Sequence, residues 1–134
     1  MQVCDVMTSS PVSINRKDSL QQAAQLMNDN DCGSLPVTDD EGVCGVITDR
    51  DIAVRAVARG TAASECVECA MTNDVVVIAS DAQTSEASQL MADNQLRRLY
   101  VVDDGNLVGV VALADLANEG AAAEATEALE GISQ

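Results

Sequence analysis

The segment Gly45-Val46-Ile47-Thr48-Asp49-Arg50-Asp51 concentrates the reactive side chains of this 134-residue chain. A hydroxyl, two carboxylates and a guanidinium follow one another there, directly after an apolar run. If a strand ends at Thr48 and a helix starts at Asp49, backbone N–H groups and a positive helix end lie together, which makes a seat for phosphate. The Thr48 hydroxyl can reach a phosphate or ribose oxygen. Asp51, one turn in, offers two oxygens to a vicinal diol, as acidic residues do in other nucleotide folds. Gly45 lets a base or a neighbouring backbone approach closely. The same Thr-Asp pattern also caps a helix without binding anything, and from these residues alone both readings stand.

The segment occurs twice. Residues 5–53 reappear at 69–117 with an offset of 64 and no gap, and 18 of the 49 aligned pairs are identical. Unrelated sequences would agree at roughly one position in fifteen, given ordinary residue usage. Two copies are too few for a solenoid, so they are expected to pack face to face and leave a crevice between them, where function should be sought. The copies differ at the motif. The second reads Gly109-Val110-Val111-Ala112-Leu113-Ala114-Asp115: Asp115 survives, while Thr48 has become Ala112 and Arg50 has become Ala114. One competent site and one weak or vacant site are expected. Of the seven basic residues, Arg97 and Arg98 stand together just before an apolar run, against Gly33 and Ser34 in the first copy.

Each copy reads as strand, helix, strand, strand, helix. In the first, residues 12–14 form a short strand and Asp18 is the expected helix cap, followed by an apolar stripe at Leu20, Ala23, Ala24 and Met27. Runs 35–38 and 43–48 form a hairpin around Asp39-Asp40-Glu41-Gly42, and Asp49 is expected to cap a helix over 50–58 that stops at Gly60. In the second, strands are expected at 75–78, 98–102 and 107–112, with helices at 84–93 and 113–118. The first strand of each copy should run parallel to the second, with both helices on one face of a small sheet. The fold class is α/β (α+β). The divisions are a first repeat at 2–60, a linker at 61–70 with a short helix around 64–71, a second repeat at 71–118, and an acidic Ala-rich tail at 119–134, frayed or disordered.

Twenty-two acidic residues against seven basic ones give a net charge of −15. That field repels nucleic acid and anionic lipid. With one lysine and one aromatic residue, Tyr100, the composition resembles that of a halophilic protein, in which concentrated salt screens self-repulsion. No apolar run approaches the roughly eighteen residues of a membrane span and no signal peptide opens the chain, so a cytoplasmic location is expected. The five cysteines do not suggest a disulfide framework in such a setting. Cys66 and Cys69 form a C-x-x-C, with Cys4 as a conceivable third ligand. A zinc site needs four ligands, and the chain has no histidine and no second C-x-x-C. No complete metal site is expected, and buried free thiols remain the simpler reading. Catalysis is not expected either, for want of a histidine, a nucleophile–base pair or a P-loop.

The motifs in order are Asp5-Val6-Met7-Thr8 with Pro11-Val12, Gly33-Ser34-Leu35-Pro36-Val37, and the Gly45–Asp51 segment with its continuation to Gly60. Together, and twice over, they resemble the tandem CBS domain, or Bateman module, of small stand-alone prokaryotic proteins, across about 2–118. The resemblance implies two β-α-β-β-α repeats and a regulatory sensor that binds an adenine nucleotide (AMP, ADP, ATP or S-adenosylmethionine) between them and modulates a partner protein, expected as a homodimer. No cofactor is required on this reading. The resemblance also sets Arg97 and Arg98 opposite Thr48 and Asp51, with Arg50 alongside, as phosphate contacts. The alternative is a ligand-free dimeric scaffold or a metal-linked stress protein on the same fold.

Overall fold

The structure, a computed structural model, describes residues 1–118. The tail reading at 119–134 lies outside the described residues. Two compact units form. One is Val12–Val75; the other joins Met1–Pro11 to the described residues from Val76 onward.

In the Val12–Val75 unit, β2 (Ile14–Asn15) runs parallel to β3 (Ser34–Asp39), which pairs antiparallel with β4 (Gly42–Thr48). The crossover is α1 (Leu20–Asn30). Its cap is Ser19, one residue later than expected: Ser19 Oγ accepts the Gln22 N–H at 3.1 Å, and the Gln22 side chain accepts the Ser19 N–H at 2.8 Å. Asp18 instead accepts the Asn15 N–H, closing the turn after β2. Leu20, Ala23 and Met27 face the core as expected, whereas Ala24 is exposed and Leu26 packs at the edge. A two-residue connection joins β3 to β4, and the chain turns there at Gly42, φ +122°.

The other unit repeats the pattern. Here β5 (Val77–Ile78) is parallel to β6 (Arg98–Asp103), which is antiparallel to β7 (Asn106–Ala112), with helices α3 (Thr84–Asp93) and α4 (Leu113–Asn118). A further short strand, β1 (Thr8–Ser9), pairs antiparallel with β7, Thr8 opposite Val110.

Strand β1 shows that the units cut the chain elsewhere than the sequence repeats do. Residues 3–8 open the first copy, yet they complete the core of the unit that holds the second: Val3 is 0% exposed, beside Val101, Val111 and Leu116. Their equivalents 67–72, which span the end of the expected linker and the start of the second copy, complete the core of the first through Val67 and Ala70. The stretch expected as a linker therefore supplies core residues, with a 3-10 turn at Val67–Cys69. Backbone bonds fix both segments alike: Val3 N–H to Ala82 and Cys4 N–H to Ser80 in one unit, Val67 N–H to Asp18 and Glu68 N–H to Arg16 in the other. Each apolar core is thus closed by a segment that the repeat boundaries place with the neighbouring copy.

Candidate functional site

The junction of β4 and the following helix is built by Thr48. Its backbone is extended, φ −116° and ψ 162°, and its Oγ1 accepts the Asp51 N–H at 3.0 Å. Asp51 Oδ2 in turn accepts the Thr48 N–H at 3.1 Å. This reciprocal capping box makes Thr48 the cap where Asp49 was expected. Asp49 is the first helical residue; its N–H donates to the Gly33 carbonyl at 2.9 Å, and its Oδ1 accepts the Arg50 N–H at 2.8 Å. The helix α2 (Asp49–Asp51) continues as a π-turn segment, Ile52–Ala56, and a 3-10 turn, Val57–Arg59, before left-handed Gly60. The expected continuous helix over 50–58 is therefore three kinds of turn in succession.

This geometry changes the chemistry open to the junction. The N–H groups of residues 49, 50 and 51 are already committed, to Gly33, Asp49 and Thr48, so the anticipated seat of free backbone donors is closed. What remains are side-chain functions. The Thr48 hydroxyl still has a proton to donate. Asp51, its side chain 13% exposed, keeps Oδ1, with Arg55 Nε at 3.8 Å. Arg50 is exposed. Gly45 is resolved between its two possible neighbours: a Cβ there would meet the Thr72 carbonyl at 2.7 Å and the Met71 sulfur at 2.9 Å. Backbone, and no base, takes the space.

The second copy keeps half of the box. Asp115 Oδ2 accepts the Ala112 N–H at 2.8 Å, but no hydroxyl returns the bond. Leu113 stands where Asp49 does and is buried in the core. Its N–H donates to the Arg97 carbonyl at 2.9 Å, and Arg98 is the register partner of Ala112. Arg97 and Arg98 are both exposed at that sheet end. Among the described residues, ion pairs form at Arg16, Lys17 and Arg55, and none at Arg50, Arg59, Arg97 or Arg98.

Cys4 belongs to one unit, Cys66 and Cys69 to the other. Among the described residues no group of three Cys, Asp or Glu side chains is placed to hold a metal. Cys4 and Cys69 are exposed, unlike the buried thiols expected, and partial desolvation, then the nearby Glu65, push the Cys69 thiol above its ordinary pKa. Open hollows of about 430 and 420 Å³ lie by the β3–β4 and β6–β7 turns, at the far end of each hairpin from Thr48 and Ala112.

Sequence reasoning overlooked Gly33, Arg55 and the 71–72 segment. Arg55 had a signal, an acid–base pair four residues apart on a helix; the other two depend on register between distant parts of the chain.

The CBS domain family model matches the chain twice, at residues 3–57 and 65–121. The chain is 40% identical over 132 residues to the CBS domain-containing protein YhcV of Bacillus subtilis, covering 98% of this chain and 94% of that one. Among solved structures it is similar to Hypoxic Response Protein I with two coordinated zinc ions, with a TM-score of 0.79, 30% identity, and 88% and 98% of the two chains covered. It is also similar to the CBS domain pair of protein MJ0100 in complex with 5-methylthioadenosine and S-adenosyl-L-methionine, with a TM-score of 0.75, 26% identity, and 89% and 94% covered.

Proposed function

We propose, since the chain belongs to the CBS domain family, that it is a regulatory module whose Thr48–Asp51 junction takes an adenosine-containing ligand and whose loaded state alters a partner protein. The observation that carries this reading is the state of its arginines. In a chain of net charge −15, Arg50, Arg97 and Arg98 are exposed and form no ion pair among the described residues. Uncommitted guanidinium groups suit a phosphate or carboxylate, which they meet with a planar fork. Arg50, Arg97 and Arg98 are accordingly the proposed anion contacts, Thr48 a hydroxyl donor, and Asp51 the acceptor for a ribose diol. Gly45 serves indirectly, by admitting the 71–72 backbone that braces β4. Asp115 belongs to a weaker second site.

The MJ0100 pair, with its two adenosyl ligands, supports the ligand class. AMP, ADP, ATP and S-adenosylmethionine all carry the adenosine, and charge separates them: a nucleotide polyphosphate must overcome the acidic field, while S-adenosylmethionine is a cation. We further propose that the working form is a homodimer in the cytoplasm; no helix among the described residues is long and apolar enough to cross a membrane. A thermal-shift screen of these four ligands in molar salt tests the reading. Binding to the native state raises stability by RT ln(1 + [L]/Kd), about 2.7 kcal/mol at one hundred times Kd. No shift with any of the four would leave the ligand-free scaffold.

A further inference from the structure

Arg55 stands four residues beyond Asp51 and touches two groups at once. Its Nε lies 3.8 Å from Asp51 Oδ1, and its Nη1 donates to the Met71 carbonyl at 3.3 Å. Next in the chain is Thr72, whose N–H and carbonyl each bond to Val46 at 2.9 Å. Val46 lies two residues before Thr48, and Thr48 and Asp51 hold each other through the capping box. The contacts therefore close into a ring: carboxylate, guanidinium, residues 71 and 72, strand β4, capping box, and back to the carboxylate. All of it lies within the Val12–Val75 unit.

Neither contact is a major source of stability. Arg55 is 45% exposed, and a helix-surface pair four residues apart contributes only a few tenths of a kcal/mol. Their effect is on position. Asp51 Oδ2 is committed to Thr48, so Oδ1 is the oxygen left for a ligand, and Arg55 is the group that faces it. A guanidinium can serve two acceptors in one fixed plane, which an ammonium cannot. Its second acceptor belongs to the segment by which the chain leaves this unit, at Val75. At the offset of 64 the counterpart of Arg55 is Glu119, a residue type that neither pairs with Asp115 nor donates to a carbonyl. The device belongs to the copy that kept its hydroxyl.

The geometry points to Arg55 as a positioning residue that couples the Asp51 carboxylate to the Met71–Thr72 segment, so that whatever engages Asp51 is felt where the chain leaves the Val12–Val75 unit. The meaning of the coupling as ligand sensing rests on the reading of Asp51 given above; the coupling itself does not.

Amide-resolved hydrogen exchange on the full chain without ligand separates the two. Arg55→Gln should speed exchange of the Thr72 and Val46 amides about three- to fivefold, the scale of one half-exposed ion pair with its hydrogen bond. Asp51→Asn keeps an oxygen for the Thr48 N–H but no charge for Arg55. It should speed the same two amides by a similar factor, although Asp51 does not touch residue 72. The double variant should be no faster than Arg55→Gln alone, and the Leu35 amide should not change in any of them, which reports an intact fold. An unchanged Thr72 rate in Asp51→Asn, or single effects that simply multiply in the double variant, would overturn the coupling. If the coupling holds while AMP and S-adenosylmethionine both fail to bind the wild type in calorimetry, Arg55 keeps its role and the ligand reading falls.

Discussion

Thr48 and Asp51 share two reciprocal hydrogen bonds, Oγ1 accepting one N–H at 3.0 Å and Oδ2 accepting the other at 3.1 Å. The two side chains read from the sequence as ligand contacts are therefore first of all a helix cap. Capping and binding are compatible here because each group has one function to spare, the hydroxyl proton and Oδ1. The corresponding pair in the second copy, Ala112 and Asp115, has lost one of the two bonds.

Thr48→Val keeps the shape of the side chain and deletes the hydroxyl. Loss of the cap should lower unfolding free energy by about 1 kcal/mol, seen as a lower denaturant midpoint with unchanged slope. Ala112→Thr at the equivalent position should restore a capping box and raise the midpoint. An unchanged midpoint in Thr48→Val would show that the hydroxyl has no capping role.

Gly45→Ala would press a methyl group to 2.7 Å from the Thr72 carbonyl. Because the obstacle is backbone held by two hydrogen bonds to Val46, the cost should be about 1–3 kcal/mol, the range for overpacking. Gly60→Ala meets nothing within 4 Å and carries only the strain of φ +75°, about 1 kcal/mol. The opposite order in urea unfolding would mean that the 71–72 segment does not brace β4.

The charge of −15 should make folding depend on salt. Thermal midpoints are expected to climb as KCl rises from millimolar to molar concentration, since the Debye length shrinks from tens of ångströms to about 3 Å. A flat midpoint across that range would remove the halophilic reading.

Replacing both Arg97 and Arg98 with Gln should cut affinity for AMP at least tenfold, about 1.4 kcal/mol or more, and leave adenosine nearly untouched, because charge-assisted contacts to phosphate are what is lost. Equal losses for both ligands in calorimetry would make the arginines supports of the fold.

Much of the fold was legible because local pattern sufficed. The stripe of Leu20, Ala23 and Met27, and two β-rich runs around a polar turn with glycine, describe α1 and the hairpin without tertiary information, and α3 and α4 fall on 84–93 and 113–118 as expected. The caps slipped by one residue, at Ser19 for Asp18 and Thr48 for Asp49, because neighbouring cap-forming residues compete and the winner depends on which backbone is extended. Val3 and Val67 are apolar in segments that look like approaches to a repeat; nothing local says which sheet they will cover. The committed amides at 49–51 were hidden for a similar reason. The Gly33 carbonyl reaches Asp49 only through the pairing of β3 with β4.

The asymmetry of the two copies is the heart of this account, and calorimetric titration of adenosine ligands into Asp51→Ala and Asp115→Ala tests it most directly. Asp51→Ala should weaken binding by about 2 kcal/mol, the value of a hydrogen bond to a charged group, whereas Asp115→Ala should leave the main affinity nearly unchanged. Equal losses from the two substitutions, or a loss confined to Asp115→Ala, would contradict it.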